Sequence, residues 1–193
     1  MINKIVWGFL ALCYAPFFKK FSLPSHIGIP LFTFGLKEVS VGKRVRIMPG
    51  VRIETHNNGK ISLEDNISIG QNFHVTSAGN LIIESDTTIS GNVFVTNIDH
   101  DYQEIGKHIL EQRMIVKETR IGKNCFIGYG VAIQAGTILG KQCVVGANAV
   151  VRGVFPDYSV IAGVPAKVIK RYNIEAKVWE RTNPDGTFIE KNK

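Results

Sequence analysis

The stretch Thr119-Arg120-Ile121-Gly122-Lys123-Asn124-Cys125-Phe126-Ile127-Gly128, continuing to Val145-Gly146-Ala147-Asn148-Ala149-Val150-Val151, repeats every six residues. Its aliphatic register runs Ile121, Ile127, Ile133, Leu139, Val145, Val151, and glycine follows at Gly122, Gly128, Gly140 and Gly146. Two residues ahead of each aliphatic stands a small or medium side chain: Thr119, Cys125, Val131, Thr137, Cys143, Ala149. A helix turns every 3.6 residues and cannot keep a strict spacing of six on one face. A two- or three-residue strand followed by a glycine or polar corner can. Three such hexads make one triangular coil of about 18 residues, and stacked coils bury one continuous aliphatic column.

The same ladder runs earlier as Val41, Ile47, Ile53, then Leu63, Ile69, Val75, then Ile83, Ile89, Val95. The wider steps from Ile53 to Leu63 and from Val75 to Ile83 place corner insertions around Asn57-Asn58-Gly59 and Ala78-Gly79-Asn80. The expected fold is all-β: a parallel β-helix over residues 37–170, with an apolar helical segment over 1–36 before it. Residues 171–193 are expected to form a short helix, drawn from Ile174, Val178 and Trp179, and a loose tail. Cys125 and Cys143 fall one coil apart and read as a ladder of small core side chains, not a metal or redox pair.

Composition narrows the function. The 193 residues carry a formal charge of +7, which favours anionic partners of some kind. No arginine-rich run or aromatic-interleaved basic stripe is present, so nucleic acid is not expected as a partner. Three cysteines without a CxxC pair point to a reducing, cytoplasmic compartment. The apolar run from Ile5 to Phe18, broken by Pro16 and followed by Lys19 and Lys20, is too short to span a bilayer and has no small-residue cleavage site. Packing on the protein is the favoured reading for it, with peripheral contact at the inner face of a membrane as the other.

The hexad stops after Val95 and resumes at Thr119, leaving residues 97–118 as a protruding loop. Long interruptions of a compact repeat tend to carry function. This one opens on Asp99-His100-Asp101. An imidazole titrates near neutrality and suits general-base work, and a carboxylate beside it can fix its tautomer. His100 is therefore the candidate base, with Asp99, or Glu111 from the far side of the loop, as its orienting partner. An ordinary solvated loop is the plain alternative.

From Ile121 to Val151 the chain resembles the hexapeptide-repeat acyltransferases. The run Phe155-Pro156-Asp157-Tyr158-Ser159-Val160-Ile161-Ala162-Gly163-Val164-Pro165-Ala166-Lys167-Val168-Ile169-Lys170 resembles the end of their maltose/galactoside acetyltransferase-like group. The tail from Arg171-Tyr172-Asn173 to Trp179-Glu180-Arg181 looks most like their lipopolysaccharide and capsule O-acetyltransferase members. The likeness covers residues 39 to 181, and Ala162-Gly163-Val164-Pro165-Ala166-Lys167 is its most specific piece.

The resemblance implies a left-handed coil, a homotrimer with active sites between subunits, and acetyl-CoA as co-substrate without a metal. It implies transfer to a sugar hydroxyl of a surface polysaccharide or its precursor, by direct attack on the thioester. In such a family His100 deprotonates the acceptor, Tyr129, Ala147, Arg152 and Gly153 contact coenzyme A, and Lys167 and Lys170 lie near its phosphates. Asn72 and His74 are the candidates on the acceptor side, His74 being equally readable as a structural histidine. Two departures stand out: Tyr102 where the family often has a second histidine, and Phe126 and Tyr129 where it usually has Trp and Gly.

Three other readings stay open at this level. A nucleotide-sugar N-acetyltransferase shares fold and cofactor; a zinc enzyme would need His74, His100 and His108 to converge; a structural β-helix would need neither the loop histidine nor the two lysines.

Overall fold

The computed structural model describes residues 2–189. It is a β-solenoid of about seven turns whose three faces are parallel sheets, one of them extended by antiparallel strands at its end. Face A has seven strands, face B nine and face C six. The predicted registers pair strand on strand: Ile121 beside Leu139, Ile127 beside Val145, Ile133 beside Val151, each 18 residues apart. The corner insertions lengthen earlier coils, so Arg52 pairs with His74 and His74 with Phe94. The column formed by Val41, Leu63, Ile83, Ile121 and Leu139 is buried throughout, and each such side chain contributes about 1.5–3 kcal/mol on leaving water.

The small inward register closes the corners with hydrogen bonds. Thr87 Oγ1 donates to the Gly122 carbonyl at 3.1 Å and Thr137 Oγ1 to the Val151 carbonyl at 2.9 Å. Cys125 and Cys143 stack as expected, their thiols donating to the Gly140 and Pro156 carbonyls at 3.2 and 3.3 Å. The Cys143 sulfur beside it, together with burial, pushes the Cys125 thiol well above its usual range, as befits a core residue. The turn between faces B and C takes a positive φ in five successive coils, at Gly50, Asn72, Asn92, Gly130 and Asn148.

Two expectations are corrected. The solenoid begins at Lys20, not residue 37: Lys20–Phe21, His26–Ile27 and Phe32–Phe34 form a first coil paired to the second. Among the described residues only Ile2–Tyr14, named α1, is α-helical, followed by a single 3₁₀ turn over Ala15–Phe17. The C-terminal helix is absent from the described residues. Ala166–Asn173 turns back antiparallel along Ser159–Gly163, and Val178–Arg181 pairs with it in turn. Asn173 Oδ1 accepts the Glu175 and Ala176 N–H groups at 3.1 Å, which makes a tight turn where a helix was expected. The tail's last residues, 190–193, lie outside the described residues.

Candidate active site

The interruption is an arm, not a slack loop. Ile98–His100 and Met114–Val116 form an antiparallel pair, with His100 opposite Met114. Its root is pinned by the fully buried Asn97. That side chain accepts the Ala78 N–H at 2.9 Å and donates to Ser77 Oγ at 3.0 Å, while the main-chain carbonyl of Asn97 accepts the Lys117 N–H at 2.9 Å. At the tip the buried Gln112 amide donates to the Glu104 and Lys107 carbonyls and accepts the Glu104 N–H. An arm tied at root and tip can hold a side chain in a fixed place.

Between the arm and the outer surface of face C lies a cavity of about 530 Å³, lined by His56, Phe94, Thr96, His100, Met114, Gln134 and Arg152 among others. The His100 Nδ1 is buried and has no hydrogen-bond partner among the described residues. A buried polar atom left unpaired costs about 1–3 kcal/mol, so the fold holds this imidazole in place at some expense.

Asp99 takes a role different from the expected one. Its Oδ1 accepts the His100 main-chain N–H at 3.0 Å and its Oδ2 the Arg152 guanidinium at 2.9 Å. The carboxylate therefore ties the strand bearing His100 to a corner two coils on; it does not bond the imidazole. Glu111 sits exposed in the 3₁₀ turn at the arm's tip.

Along face C, Phe32, Arg52, His74 and Phe94 share one outward column, and Phe34, Glu54 and Thr76 the next. The buried Glu54 is bonded to Arg52 and lies 3.1 Å from His74 Nε2 and 3.6 Å from His56 Nε2. Burial works to raise the Glu54 carboxyl, but the bonds from Arg52 and His74 win and hold it below its ordinary value. For His74, burial dominates and lowers it. His74 also packs 4.9 Å from the Phe94 ring and His56 5.4 Å from the Phe34 ring. Thus His74 stands behind the cavity wall while His56, unnoticed in the sequence, lines it. Offsets of 20 and 22 residues in the early ladder were the signal for this column. Asn72 faces elsewhere: it holds the left-handed corner and donates to Asn92 Oδ1 at 3.0 Å.

The candidate cofactor residues fall in three places. Tyr129 and Ala147 stack on the corner between faces B and C, where Asn148 N–H bonds the Tyr129 carbonyl at 2.8 Å and Tyr129 Oη meets the Asn92 amide. Arg152 and Gly153 form the next corner, beside the arm, and at Gly153 a Cβ would meet nothing within 4 Å. Lys167 and Lys170 lie in the C-terminal hairpin. Residues three apart in a strand normally point to opposite faces, but a register shift pairs Lys167 with Ala162 and Lys170 with Val160. Both lysines thereby line one groove of about 870 Å³ together with Trp179 and Arg181. Three cations at one groove suit a polyphosphate. His108 only caps the arm's 3₁₀ turn, accepting the Leu110 N–H. Among the described residues no group of three His, Cys, Asp or Glu is placed to hold a metal ion.

Comparison with known proteins agrees with this fold. A family model described as the hexapeptide repeat of succinyl-transferase matches residues 118–152. The Escherichia coli (strain K12) protein WbbJ, which carries the name of a lipopolysaccharide biosynthesis O-acetyl transferase, is 35% identical over 169 residues, 80% of this chain and 83% of WbbJ. Galactoside O-acetyltransferase of the same strain is 30% identical over 122 residues, 58% of this chain and 57% of its own. Among solved structures, the N-acyltransferase AntD of Bacillus cereus, in complex with dTDP and 3-hydroxybutyryl-CoA, superposes with a TM-score of 0.70 at 18% identity, covering 86% of this chain and 90% of AntD. A galactoside acetyltransferase in complex with coenzyme A gives 0.52 at 19% identity, covering 98% and 89%. These two likenesses speak to the fold. By its repeat, its arm and its sequence kinship with WbbJ, the chain belongs to the hexapeptide-repeat acetyltransferases.

Proposed function

We propose that this protein transfers the acetyl group of acetyl-CoA to a sugar hydroxyl of a surface polysaccharide or its precursor, with His100 as general base. The observation that carries the reading is the place of His100: on the wall of a cavity, held by a pinned arm at the one long break in the repeat. The imidazole takes the proton of the acceptor hydroxyl, and the freed oxygen attacks the thioester carbonyl. The tetrahedral intermediate collapses with loss of the coenzyme thiolate, which recovers the proton from His100. No acyl-enzyme is needed, since Cys125 and Cys143 are buried and bonded and Cys13 lies on α1, away from the cavity lining.

The donor's phosphates suit the groove of Lys167, Lys170 and Arg181, while Arg152 and Gly153 edge the cavity itself. Within one chain these elements and the Tyr129–Ala147 corner lie apart. Their separation supports a trimeric assembly in which one copy offers the arm and its neighbour the donor track.

The test follows free coenzyme A thiol from acetyl-CoA with a panel of sugar and amino-sugar acceptors, for wild type and His100→Ala. Acceptor-dependent release that vanishes in the variant while coenzyme A still binds is the expected result. Equal rates in both proteins would remove His100 as base. Release with amino sugars alone would move the reading to N-acetyl transfer.

A further inference from the structure

Six of the chain's seven net positive charges fall in its first 46 residues, where seven Lys and Arg accompany a single Glu. The same quarter of the chain carries an apolar surface that the fold leaves open. α1 buries Ala11 against the core, and Phe18 just beyond it is buried too, which fixes the helix's inner side. The opposite stripe, Val6, Phe9 and Leu12, recurs at three-residue steps and is exposed, Phe9 at 66%. Phe17 continues that stripe, and Ile29 and Leu31 on the first coil stand 65% and 76% exposed.

Cations sit among these side chains. Lys37 lines a groove of about 440 Å³ with Phe17 and Tyr14. The exposed Lys19 is tied through its main-chain N–H to the Leu36 and Val39 carbonyls, and Lys20 follows it in the first strand. Among the described residues no helix is long and apolar enough to cross a membrane. A short helix with an exposed apolar stripe and flanking lysines is suited instead to lie in the plane of a bilayer interface. A second copy is a poorer occupant, because it would bring the same excess of positive charge to the contact.

We propose that α1 and the first coil dock on an anionic lipid surface. Phe9, Leu12 and Phe17 enter the interfacial layer, and Lys19, Lys20 and Lys37 lie over the headgroups. On the acetyltransferase reading, docking brings the cavity close to a saccharide carried on a lipid anchor. That consequence rests on the reading; the docking itself needs neither acyl donor nor acceptor.

Flotation of the full chain with vesicles tests it, using phosphatidylcholine alone and phosphatidylcholine mixed with phosphatidylglycerol. The protein is expected to float with the anionic vesicles and not the neutral ones, and raised salt should release part of it. Phe9→Glu with Leu12→Glu should lower the bound fraction about tenfold or more. Lys19→Gln with Lys20→Gln should lower it about 25-fold, each cation at such a surface counting for roughly fivefold. The lysine side chains are exposed, so that pair decides the matter should the first pair impair folding. No flotation, equal flotation on neutral vesicles, or wild-type binding by both variants overturns the proposal. A fall in sedimentation mass of the Phe9/Leu12 variant without vesicles overturns it too, and assigns the patch to contact between copies.

Discussion

Replacing Asp99 by alanine isolates what the arm's tether contributes. The side chain makes one ion pair, to Arg152 at 2.9 Å with the two side chains 37% and 51% exposed, and one bond to the His100 N–H. A half-exposed ion pair is worth about 0.5 kcal/mol, and a main-chain hydrogen bond about 1 kcal/mol net. Their loss, about 1.5 kcal/mol, corresponds to roughly a tenfold shift of the arm from its docked position. Because the arm is rooted separately through Asn97, the loss should stay local. Acceptor-dependent kcat is expected to fall about tenfold with little change in KM for acetyl-CoA, while the midpoint of thermal unfolding falls by less than about 4 °C. Asp99→Asn keeps an acceptor for the His100 N–H and weakens only the pairing to Arg152, so it should lie between wild type and alanine. Steady-state thiol release and scanning calorimetry on the three proteins measure both quantities. A kcat within about twofold of wild type for the alanine variant would refute the tether. A drop in the midpoint of 10 °C or so would show that Asp99 supports the whole fold instead.

Other outcomes follow from the same structure. His100→Ala should lower kcat by about 10²–10⁴-fold with coenzyme A affinity retained, measured by calorimetric titration. Lys167→Ala should raise KM for acetyl-CoA by about tenfold and leave kcat close to wild type, since a charge-assisted bond to phosphate is lost far from the reacting atoms. Ile127→Ala, at a fully buried core position, should cost about 2–5 kcal/mol in denaturant unfolding. The His74 value is lowered from the ordinary 6.5, so its contribution to stability is complete above that pH and is lost as pH falls through the lowered value. Glu54, lowered from the ordinary 4.5, behaves likewise in a more acidic window. Stability measured from pH 7 to 3 should therefore decline in two stages, with Glu54→Gln flattening the more acidic one.

What the sequence disclosed was set by how locally each feature is encoded. The hexad from Ile121 to Val151 states its own register, because one aliphatic residue per strand suffices to define the inward face. The first coil keeps the same step at Phe21, Ile27 and Thr33, but an aromatic and a hydroxyl in place of aliphatics hide it, and exposed neighbours such as Leu31 and Phe34 add noise. The C-terminal hairpin is not legible in the sequence, because Ile174, Val178 and Trp179 fit a helical period over too few residues to exclude two short strands. His100 was legible as the break in a pattern. The bond between Asp99 and Arg152 was not, because it joins positions 53 residues apart through the rise of the coil, which no local spacing reports. The same holds for Lys167 and Lys170, whose shared face depends on a one-residue bulge.

The ends of the arm meet: Thr119 Oγ1 donates to the Thr96 carbonyl at 2.9 Å, and the ladder resumes with Ile83 paired directly to Ile121 as though nothing intervened. Closing a chain segment between two such points costs conformational entropy that grows only logarithmically with its length, about 0.6 kcal/mol for each doubling. The arm can therefore lengthen, shorten or be rewritten with almost no effect on the stacked coils below it. The segment that shapes the cavity can thus be rewritten while the scaffold stays fixed, because it bears little of the load of holding the coils together.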